Sequence, residues 1–180
     1  MNLVLPDHET DRLRFRLLTS DDFEKWVPLF YEENVAKFLG MDTNKSPEEM
    51  CQLWFNKCFH RYENDLGGMN VLVDKNLGKI IGQCGILIQE VLDEQRYEIG
   101  YSILPEFWNK GYAKEASSYC LQKAFEMNLD DSIISVIHVD NIGSETVARN
   151  NGMTLEKFVP DYKGSPVNIF SIEKNNWKSR

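Results

Sequence analysis

The chain has 180 residues, with 28 acidic and 20 basic side chains and a formal net charge of −8. This length suits one domain with a large core that needs no disulfide or metal to hold it together. We therefore expect a single domain over residues 1–180. The charge argues against a nucleic-acid partner, because binding to phosphate backbones requires a basic surface. It mildly favours a cationic substrate, although net charge also serves solubility.

The sequence lacks secretory and membrane-spanning signals. The N-terminus does not show the basic, apolar and small-residue order of a signal peptide, and no apolar run approaches the roughly 20 residues that span a bilayer. The four cysteines are Cys51, Cys58, Cys84 and Cys120. They lack Cys-x-x-Cys spacing, and buried free thiols suit the reducing cytoplasm. His8 and His60 have no ligand spacing with a carboxylate pair. We expect a cytoplasmic protein without a metal or a membrane partner.

The N-terminal third predicts one strand and two helical segments. Alternating polarity predicts a strand over Leu13 to Leu17. Thr19-Ser-Asp-Asp22 supplies helix-capping groups, and Pro28 should kink or split the helix that follows. Its apolar face comprises Phe23, Trp26, Val27 and Phe30. Ser46-Pro-Glu-Glu49 is a capping box and predicts a helix to about Tyr62. The expected apolar stripe of that helix is Met50, Leu53, Trp54 and Lys57 or Cys58.

The middle of the chain predicts a three-stranded meander. Residues 69–73 and 80–88 alternate as strands across the glycine-containing loop 74–78, and residues 96–104 form the third strand. A helix over 113–127 follows. The remaining elements are a strand at 133–139, a helix at 142–151, and strands at 154–159 and 167–172. This order indicates an α+β or mixed α/β fold whose sheet is mostly antiparallel.

Residues 99–116 run from an apolar strand through a glycine-centred turn into a helix start. The first N–H groups of a helix lack internal partners and carry the positive end of its dipole, so a phosphate can dock on them. Gly111 permits close approach of a ligand, and Ala113 keeps the next inward position small. Lys110 and Lys114 add positive charge. The segment predicts an anion site on the amides from Asn109 to Lys114.

The stretch Trp108-Asn-Lys-Gly-Tyr-Ala113 resembles the acetyl-CoA-binding pattern Gln/Arg-x-x-Gly-x-Gly/Ala of the GNAT acetyltransferase superfamily. The longer run Phe107 to Ala116 is most similar to the branch of ribosomal-protein N-terminal acetyltransferases (RimJ/RimL-like). Other segments resemble the same branch: Thr10 to Arg16, Val139 to Ser144, Asn151-Gly-Met153, and Phe170 to Ile172 with Trp177. The resemblance implies a central seven-stranded, mostly antiparallel sheet with helices on both faces.

The resemblance also implies acetyl-CoA as co-substrate. The pantetheine arm would follow the strand before the anion turn, and the next strand, ending at Val139, would splay away to make room. The implied cofactor-binding residues are Tyr101, Ser102, Ile103, Trp108, Asn109, Lys110, Gly111, Tyr112, Ala113, Lys114, Asn141 and Ser144. For Asn141 and Ser144, capping of the helix is the alternative role.

Acetyl transfer requires placement of the reactants, an N–H group for the oxyanion and an acceptor for the amine's proton. Glu98 is the candidate proton acceptor, through water, although it could equally be a solvated cross-strand partner. The tyrosine acid of many superfamily members aligns with Ala148. Tyr119, Tyr162 and Ser171 remain as hydroxyls among which the sequence does not choose. Ser171 is taken as the second catalytic candidate.

The predicted function is acetyl transfer to a primary amine, on a protein N-terminus or a small molecule, by direct attack in a ternary complex. The protein is expected to be a monomer or homodimer. A non-catalytic acyl-CoA-binding regulatory module is the alternative, because the tyrosine is missing and Arg149 and Asn150 replace Glu and Lys of the branch. His138 lies near the presumed site, where a structural role is the commoner one for a histidine.

Overall fold

The computed structural model describes residues 3–177. In chain order the elements are β1 (Leu13–Arg16), α1 (Phe23–Trp26), α2 (Val35–Phe38), α3 (Pro47–Glu63), β2 (Gly67–Asp74), β3 (Ile80–Val91), β4 (Glu94–Ile103), α4 (Tyr112–Glu126), β5 (Ser132–His138), α5 (Ile142–Asn150), β6 (Thr154–Tyr162) and β7 (Ser165–Glu173). Short 3-10 segments lie at Ser20–Asp22, Val27–Tyr31, Pro105–Phe107 and Lys174–Asn176. The predicted strands are all present. Within residues 3–177, no helix is both long and apolar enough to cross a membrane.

The strands form one seven-stranded sheet in the order β1-β2-β3-β4-β5-β7-β6. Every neighbouring pair is antiparallel except β4 and β5, which run parallel. The two parallel strands share a single register pair, Glu98 with Ile134. Within residues 3–177 no other residues of these two strands pair, which agrees with the expected splay and leaves a gap between β4 and β5.

Helices cover both faces of the sheet, as expected. The indole Nε1 of Trp54 in α3 donates to Gln83 Oε1 at 2.9 Å. The next residue, Cys84, contacts Cys120 of α4 with 3.6 Å between the sulfur atoms. Successive side chains of a strand point to opposite faces. Helices α3 and α4 therefore lie on opposite sides of β3.

Local sequence signals account for the helix boundaries. Ser46 Oγ accepts from the Glu49 N–H at 3.2 Å, and Glu49 Oε2 accepts from the Ser46 N–H at 2.8 Å, which confirms the capping box. Helix α1 gives way to a 3-10 segment at Val27, and Pro28 lies in that segment, as expected. The predicted stripe of α3 was wrong at Leu53, which is 45% exposed. The buried face instead comprises Met50, Cys51, Trp54, Phe55, Cys58 and Arg61. Leu53 lies outside that face because the helical repeat of 3.6 residues places it beyond the flank of Trp54.

Candidate active site

The turn between β4 and α4 depends on a left-handed glycine. Gly111 is the N-cap of α4 with φ +80° and ψ 2°, a conformation that glycine adopts without steric penalty. A Cβ atom at Gly111 would meet only Arg12 Nη2, at 3.5 Å. That is an ordinary contact. Backbone conformation, and not lack of room within the protein, therefore requires glycine here.

The start of α4 has no side-chain cap. Glu115 lies in the first turn, but its carboxylate points toward the segment just before β1. It accepts from Thr10 Oγ1 at 2.5 Å, from the Arg12 N–H at 2.9 Å and from Arg12 Nε at 2.6 Å. The orphan amides of the first turn therefore remain available to an anion, and they lie at the positive end of the helix dipole.

Arg12 fixes this turn from outside, although its role was not anticipated. Its Nη1 donates to the carbonyl of Lys110 at 2.9 Å, and its guanidinium carbon lies 4.3 Å from the centre of the Tyr112 ring. The Tyr112 hydroxyl in turn donates to Asp74 Oδ2 at 2.8 Å. Arg12 and Glu115 are 103 residues apart in the chain. No local pattern in the sequence links them.

The other charged and aromatic residues of the turn have different roles. Trp108 is 45% exposed, but its Nε1 donates to the carbonyl of Ile103 at 2.6 Å. Lys110 Nζ donates to the carbonyl of Glu106 at 2.8 Å. Lys114 is exposed, and no carboxylate among residues 3–177 forms an ion pair with it. Lys114 is therefore the cation of this segment that is most available to a ligand.

The gap between β4 and β5 is bordered by the residues expected to hold the pantetheine arm. Ser102 and Ile103 pair with β3, so their other backbone edge faces the gap. The Tyr101 hydroxyl donates to the carbonyl of Ser144 at 2.7 Å, which ties β4 to α5. Asn141 caps α5, with its Oδ1 accepting from the Ser144 N–H at 3.1 Å. The capping alternative is thus confirmed for Asn141.

A cleft of about 240 Å³ lies beside the end of β4. Its walls are Lys25, Pro28, Glu32, Leu104, Pro105 and Glu106. Glu98 is not among these lining residues. The cleft therefore borders the far end of the strand and not the point where the parallel strands meet.

Glu98 occupies the vertex where β4 and β5 begin to diverge. Its side chain shares the α3 face with Gln83, because it pairs with Leu87 four residues further along β3. The residue is 8% exposed, so the solvated alternative was wrong. Burial raises the pKa of the Glu98 carboxyl, and hydrogen bonds from Gln89 and the Val136 N–H oppose this rise. The structure thus holds a buried carboxyl group at the inner end of the gap.

Ser171 lies two strands from Glu98 in the same cross-strand row. Ile134 pairs with both residues and separates them, which corresponds to about 10 Å between their backbones. The Ser171 hydroxyl donates to the carboxylate of Glu156. Glu156 also forms an ion pair with Arg96 at 3.2 Å. The Ser171 hydroxyl is therefore part of a polar network next to the outer strand.

His138 has a structural setting. It is buried, and its Nδ1 accepts from the Asp140 N–H at 3.1 Å. That bond places the proton of the neutral ring on Nε2. Burial and the nearby Lys37 charge lower the pKa of His138. The ring is therefore neutral at neutral pH, and its Nδ1 is bonded to the loop that leads into α5.

The fold and the turn match the class that the sequence resembles, an acetyl-CoA-dependent transferase. The sequence model of the family described as "Acetyltransferase (GNAT) domain" matches residues 12–154. The chain therefore belongs to the GNAT acetyltransferase family, whose members use acetyl-CoA as co-substrate.

Individual relatives agree with this assignment. The N-acetyltransferase YoaA of Bacillus subtilis is 28% identical over 178 residues, which cover 95% of this chain and 98% of YoaA. The ribosomal L7/L12 α-N-protein acetyltransferase RimL shares the fold with a TM-score of 0.74 at 17% identity, over 94% of each chain. The Vibrio cholerae spermidine N-acetyltransferase, solved with CoA and spermine, has a TM-score of 0.70 at 18% identity, over 93% of this chain and 98% of that one. The ribosomal-protein acetyltransferases are thus among the structural neighbours, as the sequence resemblance predicted.

Proposed function

We propose that the chain transfers the acetyl group of acetyl-CoA directly to a primary amine in a ternary complex, with Glu98 accepting the amine's proton through water. The observation that supports this most is the position of Glu98, a buried carboxyl group at the vertex of the β4–β5 gap. A reactant that enters the gap along β4 meets this group at its inner end.

The CoA side of the proposal rests on backbone groups. The pyrophosphate docks on the amides from Asn109 to Lys114, where an uncapped helix start offers both donors and a favourable dipole. Lys114 adds a mobile charge at the rim. The pantetheine arm follows the edge of Tyr101 to Ile103 that does not pair with β3. On that edge Trp108 already occupies the Ile103 carbonyl, and an N–H stabilises the oxyanion as the amine attacks.

The chemistry then needs two proton movements. The acceptor ammonium first passes one proton through water to Glu98. The neutral nitrogen then forms a bond to the thioester carbon, the carbon–sulfur bond breaks to release the CoA thiolate, and the surplus proton on the new amide nitrogen passes to that thiolate. Glu98 must be ionised to accept the proton, and a raised pKa brings a carboxylate closer to the operating pH, which favours general-base catalysis. Ser171 is the second catalytic candidate, as a hydroxyl that passes a proton to the CoA thiolate. Its route to the thiolate must run through water, because Ile134 lies between the two strand positions.

The acceptor class remains an amine, on a protein N-terminus or on a small molecule. RimL is named for a protein N-terminal acceptor, and the Vibrio cholerae enzyme is named for spermidine. Both share the fold at less than 20% identity. The fold therefore accommodates either acceptor, and local side chains must decide between them.

The test replaces Glu98 by Gln, which keeps the shape and removes the charge. We expect kcat/KM for the acceptor to fall by roughly 10² near neutral pH, the usual range for loss of a positioned base. The loss should shrink as the pH approaches the acceptor's own pKa, about 10.4 for a lysine-like amine, because the amine then arrives neutral. Affinity for acetyl-CoA should stay unchanged.

Glu94→Gln is the matched control, since Glu94 is an exposed carboxylate at the start of the same strand. It should keep the wild-type rate. Wild-type rates for Glu98→Gln across the neutral range would remove Glu98 from the mechanism. Binding of acetyl-CoA without thiol release, in the presence of a panel of amines and peptides, would favour the non-catalytic module instead.

A further inference from the structure

Cations gather around Glu98 on the α3 side of the sheet. Lys57 and Arg61 are one turn apart on α3, so they lie on neighbouring positions of one helix face. Both are close enough for their charges to act on the Glu98 carboxyl. Lys163, in the turn between β6 and β7, is close enough to act on Lys57. Two cations therefore act on one carboxyl group, and a third lies near Lys57, in a chain whose overall net charge is −8.

Helix α3 and the β6–β7 hairpin bring these cations to the same end of β3. Arg61 Nη1 donates to the carbonyls of Leu66 at 2.8 Å and Ile88 at 3.2 Å, which fixes the end of α3. The Tyr162 hydroxyl donates to the carbonyl of Glu90 at 3.2 Å and fixes the β6–β7 hairpin. Ile88 is adjacent to Leu87, the partner of Glu98. The hydrogen bonds thus hold α3 and the hairpin beside Glu98.

Lys57 is the exposed member of the pair on α3, whereas Arg61 is buried. Its ammonium lies 5.7 Å from the centre of the Trp54 ring. No carboxylate among residues 3–177 forms an ion pair with it. Trp54, which is bonded to Gln83, and Arg61, which is bonded to Ile88, place Lys57 between two helix positions that are anchored to β3. An exposed ammonium without an ion partner can form a charge-assisted hydrogen bond with an anion that a ligand brings to it.

We propose that the amine acceptor also carries a carboxylate, which Lys57 binds while the amine faces Glu98. The inference rests on the proposed function and names its substrate class, an amino acid or a related amino carboxylate. The overall charge had favoured a cationic substrate. The charges next to the site favour a zwitterion instead, because each end of such a molecule finds an opposite charge.

The experiment compares glycine, β-alanine and γ-aminobutyrate, each beside its own amide, with release of free thiol as the readout. The three acids vary the spacing between amine and carboxylate. At least one acid should exceed its amide by about tenfold to a hundredfold in kcat/KM, the range expected for a hydrogen bond between charged groups. O-phosphoethanolamine is a further arm, and a preference for it over every carboxylate would overturn the assignment.

Variants then test whether Lys57 is responsible. Lys57→Gln should abolish the preference through KM, and Lys57→Arg should retain it. Lys79→Gln is the control for loss of one positive charge, because Lys79 is exposed and lies next to the opposite end of β3. Equal rates for acids and amides in the wild type, or an equal loss for both in a folded Lys57→Gln variant, would overturn the inference.

A binding measurement separates this inference from the proposed function. Calorimetry with CoA-saturated protein should show that the preferred acid binds and its amide does not. If that holds while no amine is acetylated, the proposed function fails and the carboxylate site stands. If amines are acetylated but neither assay distinguishes acid from amide, the carboxylate site fails alone.

Discussion

Replacement of Gly111 by Ala tests where the pyrophosphate binds. An alanine in the left-handed region costs about 1–2 kcal/mol, and Gly111 has φ +80°. The new Cβ atom meets only Arg12 Nη2, at 3.5 Å, so no clash adds to this penalty. For a chain of this size the penalty corresponds to a fall in Tm of about 2–8 °C.

The same variant should weaken CoA binding. Alanine relieves its strain by leaving the left-handed region, which turns the first amides of α4 away from the ligand. Loss of one hydrogen bond to a charged phosphate is worth about 1.5–3 kcal/mol, or roughly tenfold to a hundredfold in Kd. Isothermal titration with CoA measures this change directly, and thermal unfolding of the free protein measures the stability.

Gly78→Ala is the matched control. Gly78 has φ +65°, and a Cβ atom there would meet nothing within 4 Å. Both variants should therefore lose similar stability, while only Gly111→Ala loses affinity. If Gly111→Ala unfolds at a lower temperature but binds CoA as tightly as Gly78→Ala does, the pyrophosphate does not dock on these amides.

Three further predictions concern stability and the thiols. Ser46→Ala removes the cap on the Glu49 N–H, so circular dichroism melts should show a loss of about 1 kcal/mol; an unchanged melting curve would mean that the cap adds no stability. Glu98→Gln should stabilise the fold at pH 8 but not at pH 4, because burial raises the pKa of Glu98. The stability that the protonated Glu98 contributes is complete below the unfolded-state pKa and is lost as the pH rises through the folded-state pKa. A Tm difference between variant and wild type that is independent of pH would contradict this. Burial raises the pKa of Cys84, which disfavours its thiolate, so Cys84→Ala combined with Cys120→Ala should keep full turnover with a chelator present. Ping-pong kinetics in the wild type, lost with turnover in the folded double variant, would instead indicate an acetyl-cysteine intermediate.

The features that the sequence predicted well depend on neighbouring residues. The capping box at Ser46 and the interruption of α1 beside Pro28 follow from groups within one helical turn. The turn before α4 is equally local, since Asn109 at φ +60° and Gly111 at φ +80° supply its left-handed conformations. Each of these features is determined by a few consecutive residues, so it can be predicted without knowledge of the tertiary fold.

The features that the sequence did not predict depend on distant segments. Alternation placed Glu98 on a strand, but its burial follows from the parallel strand β5 beside it and from the cover that α3 provides. Arg12 supports the turn from the other end of the chain. Lys57 and Lys163 become neighbours only when the β6–β7 hairpin folds beside α3. Such pairs arise from the packing of elements, and residue spacing carries no signal for them.

The sheet has two halves, which a single register pair between β4 and β5 joins. One half contains β1 to β4 and the other contains β5, β7 and β6. Besides that pair, side chains join the halves: Ser135 Oγ donates to the carbonyl of Ile99 at 2.8 Å, Arg96 forms an ion pair with Glu156, and Tyr162 donates to the carbonyl of Glu90. Because β4 and β5 share a single register pair, we expect the sheet to open at this seam before it opens between other strands. A ligand bound along the free edge of β4 bridges the seam, so amide hydrogen exchange there should slow when CoA binds.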